Sequence, residues 1–266
     1  MGLAETEALC REQSLKVKED IIKSGFLPNR EKSIWEPQQV LTWLGFTWDL
    51  RSCVLLLPIH KVDDLTELIS IILSNARKLS LRLLARFCGK IISFTPAIGN
   101  VTQMMTRSCF SVINCRDYWD QCVNINLYPG CINELIFWRN NIRYIKPVPI
   151  LYERTILNVI SDASDTGAAG ILKESNVIMH KNWIQTEAGK SSTWRELKAI
   201  ELCILSFKTL LQNNSVTFYS DNQNAVSIVK KGSKNSEFQE MAFFHFLTLC
   251  IVQHINFYTL GTSWTD

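Results

Sequence analysis

Near its middle the chain carries the segment Ile160-Ser161-Asp162-Ala163-Ser164-Asp165-Thr166-Gly167-Ala168-Ala169-Gly170. A β-branched and apolar run over 155–160 leads into it, which is typical of a strand. The two acids, the small residues and the two glycines predict a tight turn into a second strand. A carboxylate at a strand end, beside backbone that a ligand can approach closely, suits a metal or phosphate site. Because Asp and Gly are also common hairpin residues, the segment alone leaves both a plain turn and a functional site open.

The composition is that of a globular chain with a sizeable core. Of its 266 residues, 47% are hydrophobic and 20% are charged, which fits one large domain or a few small ones. The net charge of +3 permits nucleic-acid binding without arguing for it. The most apolar late segment, 242–252, is too short to span a membrane. We therefore expect no membrane partner and no small-molecule cofactor.

Cysteine and histidine usage points to an intracellular protein. The nine cysteines are scattered without a C-x-x-C pair, and the first residues do not form a signal peptide. We therefore expect reduced thiols, and the sequence does not distinguish cytoplasm from nucleus. The four histidines lack the spacing of zinc ligands.

Residues 1–57 predict a helix followed by a strand-rich segment. Helical periodicity covers 5–24 and ends at Gly25. The run 40–49 is strand-like with a central glycine, and 53–57 predicts a second strand that closes a hairpin across 49–52. The predicted helix has an apolar stripe of five residues: Leu9, Leu15, Val17, Ile21 and Ile22.

An ordered set of short strings in this part resembles the C-terminal edge of a reverse transcriptase palm. The strings are Gly25-Phe26, Asn29, Glu31-Lys32-Ser33, Pro37 and Trp43-Leu44-Gly45-Phe46. The resemblance implies that Lys32 lies near the incoming nucleotide and that the Leu-Gly-Phe hairpin grips the primer end. An unrelated helix–hairpin unit is the alternative. The family's Tyr-x-Asp-Asp string, which holds two catalytic metal ions, is missing here, so we expect no polymerase activity from this chain alone.

The pattern becomes helical from 58 to 144. Apolar spacing predicts helices over 62–79, 80–92, 97–114 and 133–142. In the resembling family this is the place of thumb and connection elements, and 78–90 is similar to the thumb helix. Its basic residues, which could follow a phosphate backbone or form a solvated face, are Arg82, Arg86 and Lys90.

Three aromatic residues of this part, Trp119, Tyr128 and Trp138, are interpreted as packing residues and not as base-stacking ones. The Pro-marked segment 145–150 predicts an extended linker and a domain boundary. The expected division is therefore 1–57, 58–150 and 151–266.

Residues 151–266 predict a mixed α/β sheet with helices packed on it. The order of elements is three strands, a helix, a strand, two helices and a strand. The predicted strands are 155–161, 168–172, 177–183, 216–220 and 255–260, and the predicted helices are 193–211, 222–231 and 237–253.

Three acids occupy related places in these elements. Asp162 and Asp221 each end a strand, and Glu196 lies in the first turn of a helix that can pack on the sheet. Converging carboxylates repel one another unless divalent cations neutralise them, and hard oxygen ligands suit Mg²⁺ or Mn²⁺. Two such ions can activate a water and stabilise the leaving oxygen of a phosphodiester.

Each acid also has a purely structural interpretation. Asp162 could be a turn residue. Glu196 fits a capping box with Thr193, and Asp221 could cap the helix that follows it. Asp165 is either part of the turn chemistry or a polar group that faces a nucleic acid.

The strings around the acids closely resemble the first three acidic motifs of the ribonuclease H family. They are Ser161-Asp162-Ala163-Ser164, Trp194-Arg195-Glu196-Leu197-x-Ala199 and Tyr219-Ser220-Asp221-Asn222. Together with the upstream strings, the chain resembles a retroelement reverse transcriptase/ribonuclease H polyprotein fragment, nearest to the DIRS-type retrotransposons. The implied fold is α/β: a C-terminal ribonuclease H-like mixed sheet with flanking helices, after a palm-edge hairpin and a helical thumb and connection segment.

The resemblance implies endonucleolytic cleavage of the RNA strand of an RNA–DNA hybrid, with a 3′-hydroxyl product and two Mg²⁺ or Mn²⁺ ions. Catalytic and metal-binding roles fall on Asp162, Glu196 and Asp221, and nucleic-acid contacts on Ser164 and Asn222 in the same strings. The family's fourth acid, on a final helix, has no clear counterpart. Asp266 is the weak candidate, and the domain looks truncated.

Two other functions remain open from the sequence. One is a catalytically inactive nucleic-acid-binding relic of the same fold, which the missing fourth acid favours. The other is an integrase or transposase, which would need a glutamate at the start of a helix well after Asp221; Glu237 and Glu240 fit that place poorly. The oligomeric state is left undetermined.

Overall fold

The chain folds around two hydrophobic cores, one in its first half and one in its second. The first contains buried residues between Leu55 and Ile142, and the second those between Val159 and Phe257. The computed structural model describes residues 2–151, 156–212, 214–249 and 254–259.

The first half is a helical unit with short strands at its margins. Its helices are α1 Glu7–Lys23, α2 Ile59–Ser74, α3 Leu81–Ser93, α4 Thr95–Ile98, α5 Val101–Met104, α6 Arg107–Asn114 and α7 Pro129–Asn141. Its strands are β1 Val40–Trp43, β2 Phe46–Asp49, β3 Val54–Leu56, β4 Leu79–Ser80, β5 Cys122–Val123 and β6 Val148–Pro149, with 3-10 turns at Ala76–Lys78 and Ile125–Leu127.

The strand predicted over 40–49 is in fact two strands. Leu44 and Gly45 form a turn in which both residues have positive φ, 49° and 79°, and β1 pairs antiparallel with β2 across it. Such turns match the twist of the flanking strands, but leucine rarely occupies their first position, so the sequence pattern did not show the reversal. The predicted hairpin across 49–52 is present as β2 and β3, and β6 pairs with β3 to complete a four-stranded sheet.

Helix α1 forms where it was predicted, but its apolar stripe is not buried. No residue of α1 is buried, and four of the five stripe residues are exposed. The helix is instead held by polar contacts to the following segment: the Ser14 hydroxyl donates to the Trp35 carbonyl at 2.7 Å, and Arg11 pairs with Glu36 at 2.6 Å.

The single helix predicted over 97–114 is three short helices, α4 to α6. Gly99, with φ of 76°, ends α4, and the chain breaks again before α6. The buried carboxylate of Glu134 on α7 accepts hydrogen bonds from the Ser108 and Cys109 amides at 2.7 and 2.9 Å, which caps the amino end of α6. Burial raises the pKa of Glu134, while the two amide hydrogen bonds oppose that shift.

The packing interpretation is right for Trp138, and it stays a prediction for Trp119 and Tyr128, which are partly exposed. Trp138 is fully buried, and its indole nitrogen donates to the Met105 carbonyl at 2.7 Å. Trp119 is 44% exposed and lies under the Arg116 guanidinium, 4.0 Å from its ring centre, and Tyr128 is also exposed.

The second half is a mixed α/β layer. Its strands are β7 Leu157–Ala163, β8 Gly167–Leu172, β9 Val177–Asn182, β10 Ser215–Ser220 and β11 His254–Thr259. Its helices are α8 Gln185–Ala188, α9 Ser192–Ser206, α10 Lys208–Leu211, α11 Gln223–Lys231 and α12 Ser236–Leu249.

These strands form one five-stranded sheet in the order β11-β10-β7-β8-β9. β10 runs parallel to β7 and β11, whereas β7, β8 and β9 are an antiparallel meander. Helix α9 packs on the meander, and α11 and α12 pack against α9. The prediction of a mixed α/β sheet with flanking helices is thereby confirmed.

The two halves are joined where the end of α11 and the first turns of α12 meet α5 and α6. Arg107 donates to the Lys231 carbonyl at 2.8 Å, and the Gln239 amide donates to the Met104 carbonyl at 2.7 Å. Gly232, with φ of 74°, makes this approach possible, because a Cβ there would lie 3.2 Å from the Met104 Cα. The helical unit is therefore in direct contact with the helices that flank the sheet, and the three-part division remains a prediction.

Among the described residues, no helix combines the length and the apolar character that crossing a membrane requires.

Candidate metal centre

Three carboxylates converge at one edge of the five-stranded sheet. Asp162 is the penultimate residue of β7, Asp221 directly follows β10, and Glu196 lies in α9. One oxygen from each lies within 4.8 Å of the others. Because β7 and β10 are parallel neighbours, their carboxyl ends meet at this edge, and α9 packs across β7 to bring in the third acid.

Glu196 is the buried member of the group and the one that connects its elements. Its side chain accepts a hydrogen bond from the Ala163 amide at 3.0 Å and another from the Ser220 hydroxyl at 3.2 Å. These bonds tie α9 to β7 and β10. The capping-box interpretation of Glu196 is therefore wrong. The helix begins one residue earlier than predicted, and Ser191 caps it by accepting from the Trp194 amide at 3.3 Å.

The structural interpretations of the two aspartates are also wrong. The cap of α11 is Asn222, whose side-chain oxygen accepts from the Ala225 amide at 3.0 Å, so Asp221 is not needed for capping. The turn between β7 and β8 is closed by Ser164, whose hydroxyl accepts from the Gly167 amide at 3.2 Å. Asp162 instead stays in the strand ladder, opposite Ala169.

The electrostatics of the cluster favour a cation. Burial, followed by the neighbouring charges of Asp221 and Asp162, raises the pKa of Glu196 to about 7, against opposing hydrogen bonds from Ser220 and Ala163. The donor set is entirely carboxylate oxygen, which suits Mg²⁺ or Mn²⁺ and not a soft metal. Asp162 and Asp221 are exposed, so the cluster opens toward solvent on one side. Asp266, the weak candidate for a fourth ligand, lies outside the described residues.

We expect cation affinity to depend on pH because Glu196 must lose its proton to bind a metal. Its pKa is raised from 4.5 to about 7, so the metal-free fold loses stability as pH rises across that interval, and a bound cation offsets this loss. Mn²⁺ affinity should therefore increase with pH up to about 7 and then level off. Calorimetric titration with Mn²⁺ across this range measures it. Glu196→Gln should abolish the dependence, and a flat affinity in the parent chain would contradict the expectation.

A shallow cleft extends from Asp162 across the meander. Cross-strand register places Asp162, Ala169 and His180 in one row on the exposed face. Ser164 and Asn182 also line this cleft. His180 and Asn182 were not among the residues predicted from sequence, although the alternation along β9 and its register to β8 are a signal for them.

The residues predicted to contact nucleic acid fall in two places. Ser164 and Asn222 lie beside the carboxylates, where both also make the local hydrogen bonds described above. Arg82, Arg86 and Lys90 lie on α3, and Lys32 lies between α1 and β1. These four residues are not part of the carboxylate cluster.

Two of the basic residues on α3 are paired with acids. Arg82 makes a two-pronged contact with Asp120, at 2.7 and 3.0 Å, which raises the pKa of Arg82 and lowers that of Asp120. Lys90 lies 3.6 Å from Asp64. Arg86 is exposed on the same helix, so a basic face exists but is partly neutralised.

Comparison with known proteins gives only distant similarity. No family model matches the sequence, and no curated protein does. A foamy viral protease-reverse transcriptase in complex with an RNA/DNA hybrid is 14% identical at a TM-score of 0.47, covering 99% of this chain and 34% of that one. The same viral protein in complex with double-stranded DNA is 14% identical at a TM-score of 0.42, covering 94% of this chain and 50% of that one.

Two further solved structures are similar to a part of the chain. RNase H1 from the halophilic archaeon Halobacterium salinarum NRC-1 is 8% identical at a TM-score of 0.33, covering 40% of this chain and 86% of that one. LC11-RNase H1 in complex with an RNA/DNA hybrid is 11% identical at a TM-score of 0.34, with the same coverage. The chain spans half or less of the foamy viral chains, and at these identities and TM-scores the similarity carries no argument about function.

Proposed function

We propose that this chain is a divalent-metal-dependent endonuclease that cleaves the RNA strand of RNA–DNA hybrids. The observation that supports it is the convergence of Asp162, Glu196 and Asp221, whose oxygens approach within 4.8 Å at an edge open to solvent. Hydrolysis of a phosphodiester needs charge neutralisation at the scissile phosphate, and a site of this composition holds the cations that provide it.

The three acids have different roles in this proposal. Asp162 and Asp221 are exposed and would hold the cations on the side from which a phosphodiester approaches. Glu196 is only 4% exposed and is fixed by two hydrogen bonds, so it would hold one cation and orient the attacking water. The bound ions, Mg²⁺ or Mn²⁺, would polarise the phosphodiester and lower the pKa of that water.

Recognition of the RNA strand would use the surface around the cleft. The 2′-hydroxyl, which is both donor and acceptor, distinguishes RNA from DNA. Ser164, Asn222 and the cleft residues His180 and Asn182 offer polar groups beside Asp162. On the helical unit, the exposed residues Arg86 and Lys32 are the proposed contacts to the phosphate backbone, with Arg82 and Lys90 weakened by their acidic partners.

The ordered motif strings also support a retroelement origin, nearest to the DIRS type, and a division into palm remnant, thumb and connection, and ribonuclease H-like parts. In this arrangement the first two parts would bind nucleic acid and the third would cut it. The contact of Arg107 and Gln239 with the opposite half would keep those surfaces together.

The test is cleavage of one labelled sequence prepared as RNA–DNA hybrid, double-stranded RNA and double-stranded DNA, each with Mg²⁺, Mn²⁺ or a chelator. We expect the RNA strand of the hybrid alone to be cut, and only with metal. Hybrid binding without metal-dependent cleavage would instead identify a non-catalytic relic, and joining of DNA ends would identify an integrase.

A further inference from the structure

Arg195 is a largely buried cation beside the metal centre that the proposed chemistry does not use. It directly precedes Glu196 on α9, and its side chain is 12% exposed. One terminal nitrogen, Nη2, contacts Asp165 Oδ1 at 2.5 Å, and the Asp165 side chain is 90% exposed on the turn between β7 and β8. The pair therefore consists of a largely buried guanidinium and a carboxylate that is almost fully exposed to solvent.

The hydrogen-bonding capacity of this guanidinium is only partly used. Within the described residues, Arg195 Nε is buried and has no hydrogen-bond acceptor. A buried donor without a partner is costly, and such a group in a native fold calls for an explanation. Arginine presents a planar set of donors that matches the oxygens of a carboxylate or a phosphate. Nε itself is shielded from solvent, so it shows that Asp165 does not fill the hydrogen-bonding capacity of the guanidinium, and the terminal nitrogen that contacts Asp165 is the place where another anion would bind.

The position of the pair relates it to the path of a nucleic-acid strand. Asp165 lies three residues after Asp162, on the turn whose Ser164 lines the cleft next to that acid. A strand whose scissile phosphate reaches the three carboxylates must pass close to this turn. Because Asp162, Glu196 and Asp221 converge here and Asp165 lies on the adjoining turn, an approaching polyanion is repelled unless a cation such as Arg195 compensates.

We propose that Arg195 binds a backbone phosphate next to the scissile one, and that the Asp165 carboxylate occupies its guanidinium until the phosphate displaces it. This inference rests on the proposed function for the identity of the ligand. Asp165 can leave because its own side chain is 90% exposed and is hydrated again as soon as it leaves the guanidinium. Arg195 stays in place because most of its side chain is buried.

The test is hybrid affinity, measured by fluorescence anisotropy across a series of KCl concentrations, with Asp162→Asn in every protein so that the hybrid stays intact. Arg195→Gln should weaken binding about tenfold, as expected for the loss of a charge-assisted contact. It should also lower the slope of log affinity against log salt by about 0.9, the value for one phosphate contact. Asp165→Asn should tighten binding about threefold by removing the competing anion.

The matched controls are Arg143→Gln and Asp63→Asn, which break an ion pair with the same 2.5 Å contact in the helical unit. They measure how much hybrid affinity changes when a charge of the same sign is removed away from the three carboxylates. Asp165→Asn should raise hybrid affinity much less when it is combined with Arg195→Gln, because Arg195 and Asp165 act on the same contact. In that double variant its effect should be no larger than the effect of Asp63→Asn. If Arg195→Gln does not fold, Arg195→Lys is used in its place. Because lysine keeps the charge but not the planar set of donors, this variant should keep the salt slope and bind the hybrid more weakly.

The inference would be overturned if Arg195→Gln left both the hybrid affinity and the salt slope unchanged. If that variant does not fold, an unchanged affinity of Arg195→Lys would overturn it. Weaker binding by Asp165→Asn would also overturn it. If the parent chain cleaves hybrid while these variants bind normally, only the inference fails. If the parent chain does not cleave the hybrid but its binding depends on Arg195, the nuclease proposal fails and the phosphate contact is supported. A parent chain that binds no hybrid at all overturns both.

Discussion

Asp162→Asn is expected to lower the rate of hybrid cleavage by about a hundred- to a thousandfold, the loss typical of removing one group that stabilises a transition state. An asparagine amide is a neutral and weaker ligand, so one cation would be held less tightly. The fold should persist, since Asp162 is exposed and its hydrogen bond from the Ala163 amide can pass to the asparagine oxygen. Single-turnover cleavage with saturating Mn²⁺ measures the effect on the chemical step.

The same substitution has a second readout that does not depend on activity. Because the charge of Asp162 helps to raise the pKa of Glu196, Asp162→Asn should move that pKa back toward its ordinary value. The pH at which Mn²⁺ affinity levels off should fall with it. Asp20→Asn, on exposed α1, is the control and should leave both quantities unchanged. An Asp162→Asn variant that keeps more than about a tenth of the parent rate would contradict the assigned role.

Trp138→Ala is expected to destabilise the helical unit by about 3–5 kcal/mol, the usual cost of removing a buried aromatic side chain. Trp138 is fully buried, its ring contacts Phe137 edge-on, and its indole nitrogen holds the Met105 carbonyl at 2.7 Å. The substitution leaves a cavity and an unpaired carbonyl at the break between α5 and α6. Urea unfolding followed by circular dichroism measures the change.

Trp119→Ala is the matched control, because it removes the same side chain from a position that is 44% exposed. Its effect should be below about 1 kcal/mol, as for most surface substitutions. Trp138→Phe separates the two contributions at the buried site: it keeps most of the packing and loses the hydrogen bond to Met105, at a cost of about 1–3 kcal/mol. Equal losses for Trp119→Ala and Trp138→Ala would show that the buried contact is not what stabilises this unit.

Secondary structure was predictable where periodicity is long and strong, and less so where a tertiary contact sets the boundary. The meander and α9 follow from alternation and helical spacing, and they appear close to their predicted bounds. The helix expected over 97–114 is interrupted, because buried Glu134 supplies a cap to α6 from a helix more than twenty residues away. The stripe of α1 is apolar in sequence yet exposed, since burial depends on what lies opposite a helix.

The candidate site shows the same division. Residue type and order were enough to single out Asp162, Glu196 and Asp221 and to suggest hard divalent cations. The competing interpretations could not be rejected from sequence, because a capping glutamate and a metal-binding glutamate have the same local pattern. Only the structure places Glu196 between the Ala163 amide and the Ser220 hydroxyl and assigns capping to Ser191.

What the amino-acid order determines in this protein is local: which segments alternate, which are helical, and where acids follow strands. What only the tertiary structure decides is the set of distances between segments far apart in the chain. Among these are the 4.8 Å approach of the three carboxylates and the pairing of Arg195 with Asp165. The physical reason is that periodicity reflects backbone geometry over a few residues, whereas electrostatic and hydrogen-bond energies depend on separations that sheet register and helix packing set.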